Sequence, residues 1–195
     1  MRNVNSVAIV TGGANGIGRA VALRLASANF VVELVDLEKD NAENVKTEIV
    51  TAGGQAEAYG INATDEQQVK TVIADVIRLR GCVDAIANIA GGTVYLKRIE
   101  ELTWEEWKAD LDRNLKATFL FCREVAPIMI SQRSGRIVNT ASNYGLTGSA
   151  LRTPYSAAKA AIIGFLWVES GGPKTWLVPW SFSPATQRPT SLGRR

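Results

Sequence analysis

The chain contains no histidine, and that absence excludes more chemistry than any single motif in it. Imidazole is the usual general base, a common zinc ligand and a member of the serine-hydrolase triads. Proton transfer therefore falls to Tyr, Lys, Asp or Glu. Cysteine is nearly as scarce. Cys82 and Cys122 have neither metal-ligand spacing nor a disulfide framework between them, so no metal site is expected. Both thiols are expected in the core of a cytoplasmic protein. No apolar run reaches the roughly 18 residues that would suggest a membrane span. The start passes straight into a strand pattern without a signal-peptide core. The 22 basic and 19 acidic residues are mixed along the chain, which leaves no electrostatic footprint for nucleic acid.

What is present suffices for one domain: of 195 residues, 46% are apolar and 21% charged. Short β-branched runs alternate with longer amphipathic ones. Strands are expected over 7–10, 30–35, 55–59, 83–87 and 136–140, and helices over 17–28, 41–51, 66–79, 104–130 and 154–167. Thr103 and Glu106 form a capping box ahead of the fourth helix, and Pro154 opens the fifth.

This alternation predicts an α/β fold with a doubly wound parallel sheet of the Rossmann type, covered on both faces. Right-handed crossovers set the strand C-terminal ends along one edge, where ligands bind. Residues 1–170 are expected to form a single domain holding both cofactor and catalytic groups. Beyond it the texture changes. Residues 171–195 contain no acidic residue, yet hold four of the six prolines and two of the five tryptophans. This stretch reads as an irregular tail, with a short strand possible at 175–178 and the last strands of such a sheet missing or irregular. A change of reading frame after about Phe165 would produce such a texture.

Three motifs carry chemistry. Thr11-Gly12-Gly13-Ala14-Asn15-Gly16-Ile17-Gly18 joins the first strand to the first helix. Its glycines let the backbone turn and approach a pyrophosphate seated on unpaired helix N–H groups. Asp36, 18 residues beyond Gly18, ends the second strand. A carboxylate there accepts ribose hydroxyls and repels a 2′-phosphate, and the glycine turn carries no Lys or Arg, so NAD is favoured over NADP. The alternative is a helix-capping aspartate. Finally, Tyr155 and Lys159 share a helix face at i and i+4, with Ser142 13 residues upstream of Tyr155 at a strand end. A cation beside the phenol favours phenolate.

Together these residues, across 7–165, resemble the short-chain dehydrogenase/reductase family. Its glycine motif matches Thr11 to Gly18. Its N-N-A-G motif appears as Asn88-Ile89-Ala90-Gly91, with the second Asn replaced, and its helix-borne Asn matches Asn114. The resemblance implies Asn114, Ser142, Tyr155 and Lys159 as catalytic residues. It implies cofactor contacts from Thr11, Gly12, Asn15, Gly16, Ile17, Gly18, Asp36, Asn62, Ala63, Asn88, Ala90, Gly91, Tyr155 and Lys159. Asn62 stands where the family has an Asp that receives the adenine amino group, and its carbonyl can accept the same bond. Tyr155 moves the proton while the nicotinamide C4 exchanges hydride with the substrate carbon. Lys159 lowers the Tyr155 pKa and holds the nicotinamide ribose, Ser142 polarises the reacting oxygen, and Asn114 supports a water-linked relay.

The implied activity interconverts a small secondary alcohol and a ketone, in the manner of 3-oxoacyl reductases or of cyclic-alcohol and dihydrodiol dehydrogenases. A homodimer or homotetramer is expected through 104–130 and the Tyr155 helix. The competing expectation is a truncated, catalytically inactive fragment that still binds nucleotide.

Overall fold

The computed structural model describes residues 6–165 and the backbone of a strand at Lys174–Val178. Six strands follow one another along the chain: β1 (Val7–Thr11), β2 (Val31–Asp36), β3 (Gln55–Gly60), β4 (Ala85–Asn88), β5 (Arg136–Thr140) and β6 (Lys174–Val178). They lie in the order β3-β2-β1-β4-β5-β6, and every neighbouring pair is parallel. This is the doubly wound sheet that the alternation predicts. Much of the expected tail, 171–195, lies outside the described residues; within it, Lys174–Val178 pairs with β5 and extends the sheet.

Helices cover both faces. On one side α1 (Gly16–Ser27) and α2 (Lys39–Thr51) close over Val10, Val32 and Leu34. On the other, α3 (Glu66–Arg80) and α5 (Ala117–Gln132) enclose Val7, Ile9, Ile86 and Ile137. All five residues of β1 are buried, as a central strand between two helix layers requires. Both cysteines are buried. Among the described residues no helix is long and apolar enough to cross a membrane.

Local chemistry sets the helix ends. Asp65 accepts from the Gln67 and Gln68 amides at the start of α3, and Gly81, at φ +76°, ends it. Thr103 and Glu106 form the expected capping box of α4 (Trp104–Leu111). The single helix expected over 104–130 is three segments end to end: α4, a π-helical turn at Asp112–Lys116, and α5. Apolar periodicity reports which face is buried and is blind to one widened turn. Strand β4 begins at Ala85 instead of residue 83, because the Gln132 side chain takes both the amide and the carbonyl of Val83. Two short helices complete this edge, α6 (Tyr144–Thr147) and α7 (Thr153–Gly164). The part of the last expected helix beyond Phe165 lies outside the described residues.

One charge is buried in the sheet. Glu33, in the middle of β2, has no exposed surface, and its Oε1 accepts from Arg80 Nε at 2.7 Å. Removing the cation alone strands a buried carboxylate, whereas replacing both partners by apolar groups removes the penalty with the pair. Arg80→Met is therefore expected to lower unfolding free energy by about 3 kcal/mol, and Glu33→Leu in addition to recover most of that loss. Urea denaturation followed by circular dichroism measures both; equal loss in single and double variants would contradict it.

Candidate active site and dinucleotide cleft

The strand ends converge on the turn between β1 and α1. Gly12 and Gly13 both donate to the Val35 carbonyl, at 2.8 and 3.3 Å, and the Ala14 amide donates to Asp36 Oδ2 at 3.0 Å. The turn is thereby bolted to the end of β2. Thr11 Oγ1 accepts from the Ile89 and Ala90 amides, at 3.0 and 3.1 Å, which ties it to the segment after β4 as well. Two glycines are obligatory at this packing. A Cβ on Gly12, already at φ +67°, would lie 2.9 Å from the Ala90 backbone, and one on Gly18 would lie 1.8 Å from the Gly12 carbonyl oxygen.

The first turn of α1 carries no acidic residue, and the Asn15 side chain makes no cap. A Cβ on Gly16 would meet nothing within 4 Å. The helix thus presents uncapped N–H groups to open space, the arrangement that holds a phosphate.

In front of this turn lies a cleft of about 740 Å³. Of the residues expected to contact cofactor, Gly12, Asn15, Gly16, Ile17, Gly18, Asp36, Asn62, Ala63, Ala90 and Gly91 line it. Thr11, Asn88, Tyr155 and Lys159 do not. Thr11 acts through the amides just described, and Asn88 Nδ2 donates to Asn139 Oδ1 at 2.8 Å and to Cys122 Sγ at 3.3 Å, joining β4 to β5 and α5. Burial pushes the Cys122 thiol up to about 12 against the opposing pull of its contacts to Asn139 and Asn88, which leaves it unreactive.

Asp36 does not cap α2; Glu38 holds that position. Its Oδ1 accepts from the Glu38 amide at 3.1 Å while Oδ2 holds Ala14, so the carboxylate is fixed at the cleft wall. Asn62 Oδ1 already accepts from the Thr64 amide and hydroxyl, at 3.0 and 2.9 Å. The hydroxyl has to swing away before that carbonyl can take an adenine amino group.

The cleft also includes Asp112 and Arg113, which the sequence pattern did not single out. They sit in the π-helical turn, whose wider pitch changes the direction of side chains relative to an α-helix. The only sequence signal was their position just before Asn114.

Beside Gly91, which lines the cleft, two of the expected catalytic residues, Asn114 and Lys159, come together. Asn114, fully buried in the π-helical turn, donates to the Gly92 and Asp110 carbonyls and accepts from the Gly92 amide, at 3.0, 2.8 and 3.0 Å. A Cβ on Gly91 would lie 2.6 Å from Asn114 Oδ1 and 3.6 Å from Lys159 Nζ. Lys159 is 4% exposed and donates to the Thr140 carbonyl at 2.8 Å; its ammonium lies 5.6 Å from the centre of the Tyr155 ring. Burial lowers the lysine pKa to about 8, so it is still a cation at neutral pH.

Tyr155, half-buried on α7, packs edge-on against Tyr144, with ring centres 6.5 Å apart. Ser142 is buried just past β5. Its Oγ accepts from the Tyr144 amide at 3.2 Å, which leaves the hydroxyl proton available to a substrate oxygen. Ser142 and Tyr155 make no direct hydrogen bond. Among the described residues no cluster of Asp, Glu or Cys could hold a metal ion.

Comparison with known proteins identifies the family. A model of the short chain dehydrogenase family matches residues 6–168. The chain is 36% identical over 178 residues to the 3-oxoacyl-acyl-carrier-protein reductase FabG of Thermotoga maritima, covering 90% of this chain and 68% of that protein. It is 38% identical over 164 residues to the enzyme of that name from Staphylococcus epidermidis, covering 83% and 66%. The chain thus spans about two thirds of the length of these relatives.

Among solved structures, a metagenomic short-chain oxidoreductase in complex with NADP superposes with a TM-score of 0.87 at 29% identity, over 93% of this chain and 85% of that one. An NAD+-bound xylitol dehydrogenase gives 0.79 at 30% identity, over 84% and 63%. With a family model that matches most of its length and a site assembled from the same motifs, the chain belongs to the short-chain dehydrogenase family.

Proposed function

We propose that this protein binds a nicotinamide dinucleotide and interconverts a secondary alcohol and a ketone, with Tyr155 as the proton-transfer group. The observation that carries the reading is that Asn114 and Lys159, with Tyr155 beside the lysine, converge on Gly91, a residue of the same cleft that the uncapped, glycine-rich helix start lines. The bound cofactor supplies hydride exchange at its nicotinamide. The chain supplies position, field and protons.

Ser142 and the Tyr155 hydroxyl both donate to the substrate oxygen. In reduction Tyr155 gives up its proton to that oxygen, and in oxidation it takes one. Lys159, fixed by the Thr140 carbonyl, keeps a positive charge beside the phenol and reaches toward the nicotinamide ribose. Asn114 acts by pinning Gly91 and Gly92, which form the floor between cofactor and lysine.

The cofactor is NAD(H) in preference to NADP(H). Asp36 supports this, because an anchored carboxylate at the cleft wall would accept ribose hydroxyls and repel a 2′-phosphate. One solved relative carries NAD+ and another NADP, so the preference rests on this residue. Residues 1–170 form the cofactor-binding and catalytic unit, to whose sheet Lys174–Val178 adds a strand. The reaction is that of a cytoplasmic enzyme, and two or four copies assemble through α4, α5 and α7. The exposed Trp104 and Phe119, at 67% and 41%, favour such a contact, whereas Phe121 is core.

Tyr155→Phe is expected to cut turnover of a secondary-alcohol panel by about a hundred- to ten-thousand-fold while NADH affinity, read by fluorescence titration, stays nearly unchanged. Residual turnover close to wild type would exclude Tyr155 as the proton donor. Binding without turnover in the wild type would leave only a nucleotide-binding unit.

Asp36→Ala is expected to narrow the preference for NADH over NADPH, measured by the same titration; an unaltered ratio removes Asp36 from cofactor selection.

Lys159 makes stability depend on pH. Below pH 8 the lysine is charged folded and unfolded, and the burial penalty is present in full. Between about 8 and the ordinary lysine value of 10.5 the folded state has released the proton and the unfolded state has not. Stability should therefore rise through that window, by a few kcal/mol at most. Urea denaturation without cofactor, at stepped pH, tests this against Lys159→Met, in which that rise is absent; parallel curves for the two proteins contradict it.

A further inference from the structure

The catalytic edge holds a second pair of residues that hydride transfer does not use. Tyr144, the first residue of α6, meets Arg152, three residues before Tyr155. Arg152 Nη1 donates to the Tyr144 hydroxyl at 3.1 Å, and the guanidinium carbon lies 5.3 Å from the centre of the Tyr144 ring. That ring in turn packs on Tyr155. The arrangement is held by backbone contact: a Cβ on Gly145 would fall 2.7 Å from the Ala160 amide, so α6 lies directly on α7.

The stretch of chain that carries this pair is one-sided in charge. From Val125 to Phe165 the sequence has no Asp or Glu, but contains Arg133, Arg136, Arg152 and Lys159. Arg133 ends α5 and Arg136 begins β5, at the opposite edge of the sheet. Lys159 is spent on the Thr140 carbonyl and lies beneath Tyr155. Arg152 is left as the cation beside the reacting position, and among the described residues it forms no ion pair.

A guanidinium has five N–H donors, and here one is used inside the chain. Stacking on the Tyr144 ring fixes the plane of the group and leaves its edge free, the geometry that takes a carboxylate through two parallel bonds. The Tyr144 hydroxyl accepts from Arg152 and so keeps its own proton to donate. Arg152 is the N-cap residue of α7, three positions before Tyr155, and the Tyr144 ring on which it stacks packs against the Tyr155 ring, so the pair lies beside the proton-transfer residue.

We propose that Arg152, with the Tyr144 hydroxyl beside it, binds a carboxylate on the substrate, so that the site takes keto acids and the corresponding hydroxy acids. This rests on Tyr155 marking the reacting oxygen. It commits the substrate to an anionic group within a few bonds of the carbon that is oxidised or reduced.

The test is binding by calorimetry to the full chain saturated with NAD+, where a ketone cannot turn over. Pyruvate, acetoacetate and levulinate, which place the carboxylate at increasing distance from the carbonyl, are each compared with their methyl ester. At least one acid is expected to bind about tenfold more tightly than its ester, as a charge-assisted bidentate contact implies. Arg152→Gln should bring that ratio close to one with NAD+ affinity unchanged, and Tyr144→Phe should reduce it part of the way.

Equal affinity within all three pairs, binding by none of the six, or a preference that survives in Arg152→Gln overturns the proposal. The wild-type comparison needs no variant to fold. Turnover assayed separately distinguishes the two readings. Ester turnover without acid preference retains hydride transfer and removes the carboxylate site; acid preference without turnover does the reverse.

Discussion

The site depends on how closely three backbone segments meet where β1 enters α1. The Gly12 carbonyl touches the position a Gly18 side chain would fill, while Gly12 itself rests on the Ala90 backbone. No packing of larger residues brings α1, β1 and the segment after β4 so near one another. From this contact follow the open first turn of α1 and the line of the cleft. Thr11 reinforces it by accepting two amides from the next strand over, and Asp36 by accepting one from the turn itself. The same side chain that faces the ribose position is thus also a structural bolt. A rigid cleft wall and a fixed carboxylate are one feature.

A second constraint governs the other end. Buried ammonium groups are costly unless something holds them. Lys159 has one backbone carbonyl, and burial alone brings its pKa to about 8. A group in that state gains when an electron-rich neighbour arrives, such as ribose hydroxyls or a phenolate. Asn114 contributes differently. In the π-helical turn it satisfies the amide and carbonyl of Gly92 at once, which fixes a loop that has no secondary structure of its own. The lysine supplies charge and the asparagine supplies position.

Much of this was legible in the sequence. Alternating runs gave the parallel sheet, and Gly-rich turn, Asp36, Ser142 and the Tyr155–Lys159 pair all fall at strand ends or on the helix beside them. These signals survive because each is local: a glycine spacing, a strand end, an i,i+4 step. What was illegible depends on contacts between distant segments. Gln132 replaces a strand partner at Val83 across 49 residues. The π-helical turn leaves the apolar pattern of 104–130 nearly intact while changing where Asp112 and Arg113 point. The Asn62 carbonyl looked available and is engaged two residues on by Thr64. Arg152 carries no motif at all; its meaning comes from Gly145, which allows α6 to lie on α7.

Charge is distributed along the cleft in a way that favours one direction of binding. At the β2 end stands a carboxylate anchored by two amides, suited to the neutral hydroxyls of a ribose and opposed to further negative charge. In the middle, uncapped helix amides take the pyrophosphate. At the β5 end the chain from Val125 to Phe165 contributes only cations. On the proposed function, a dinucleotide would lie with its adenosine against Asp36 and its pyrophosphate at the start of α1. The same polarity then acts on the substrate. With histidine absent from the chain, the groups gathered about Tyr155 are a second phenol, a serine hydroxyl, an ammonium and a guanidinium. Such a surface has donors in excess and few acceptors, so it discriminates in favour of oxygen-rich, anionic molecules and against apolar ones of equal size.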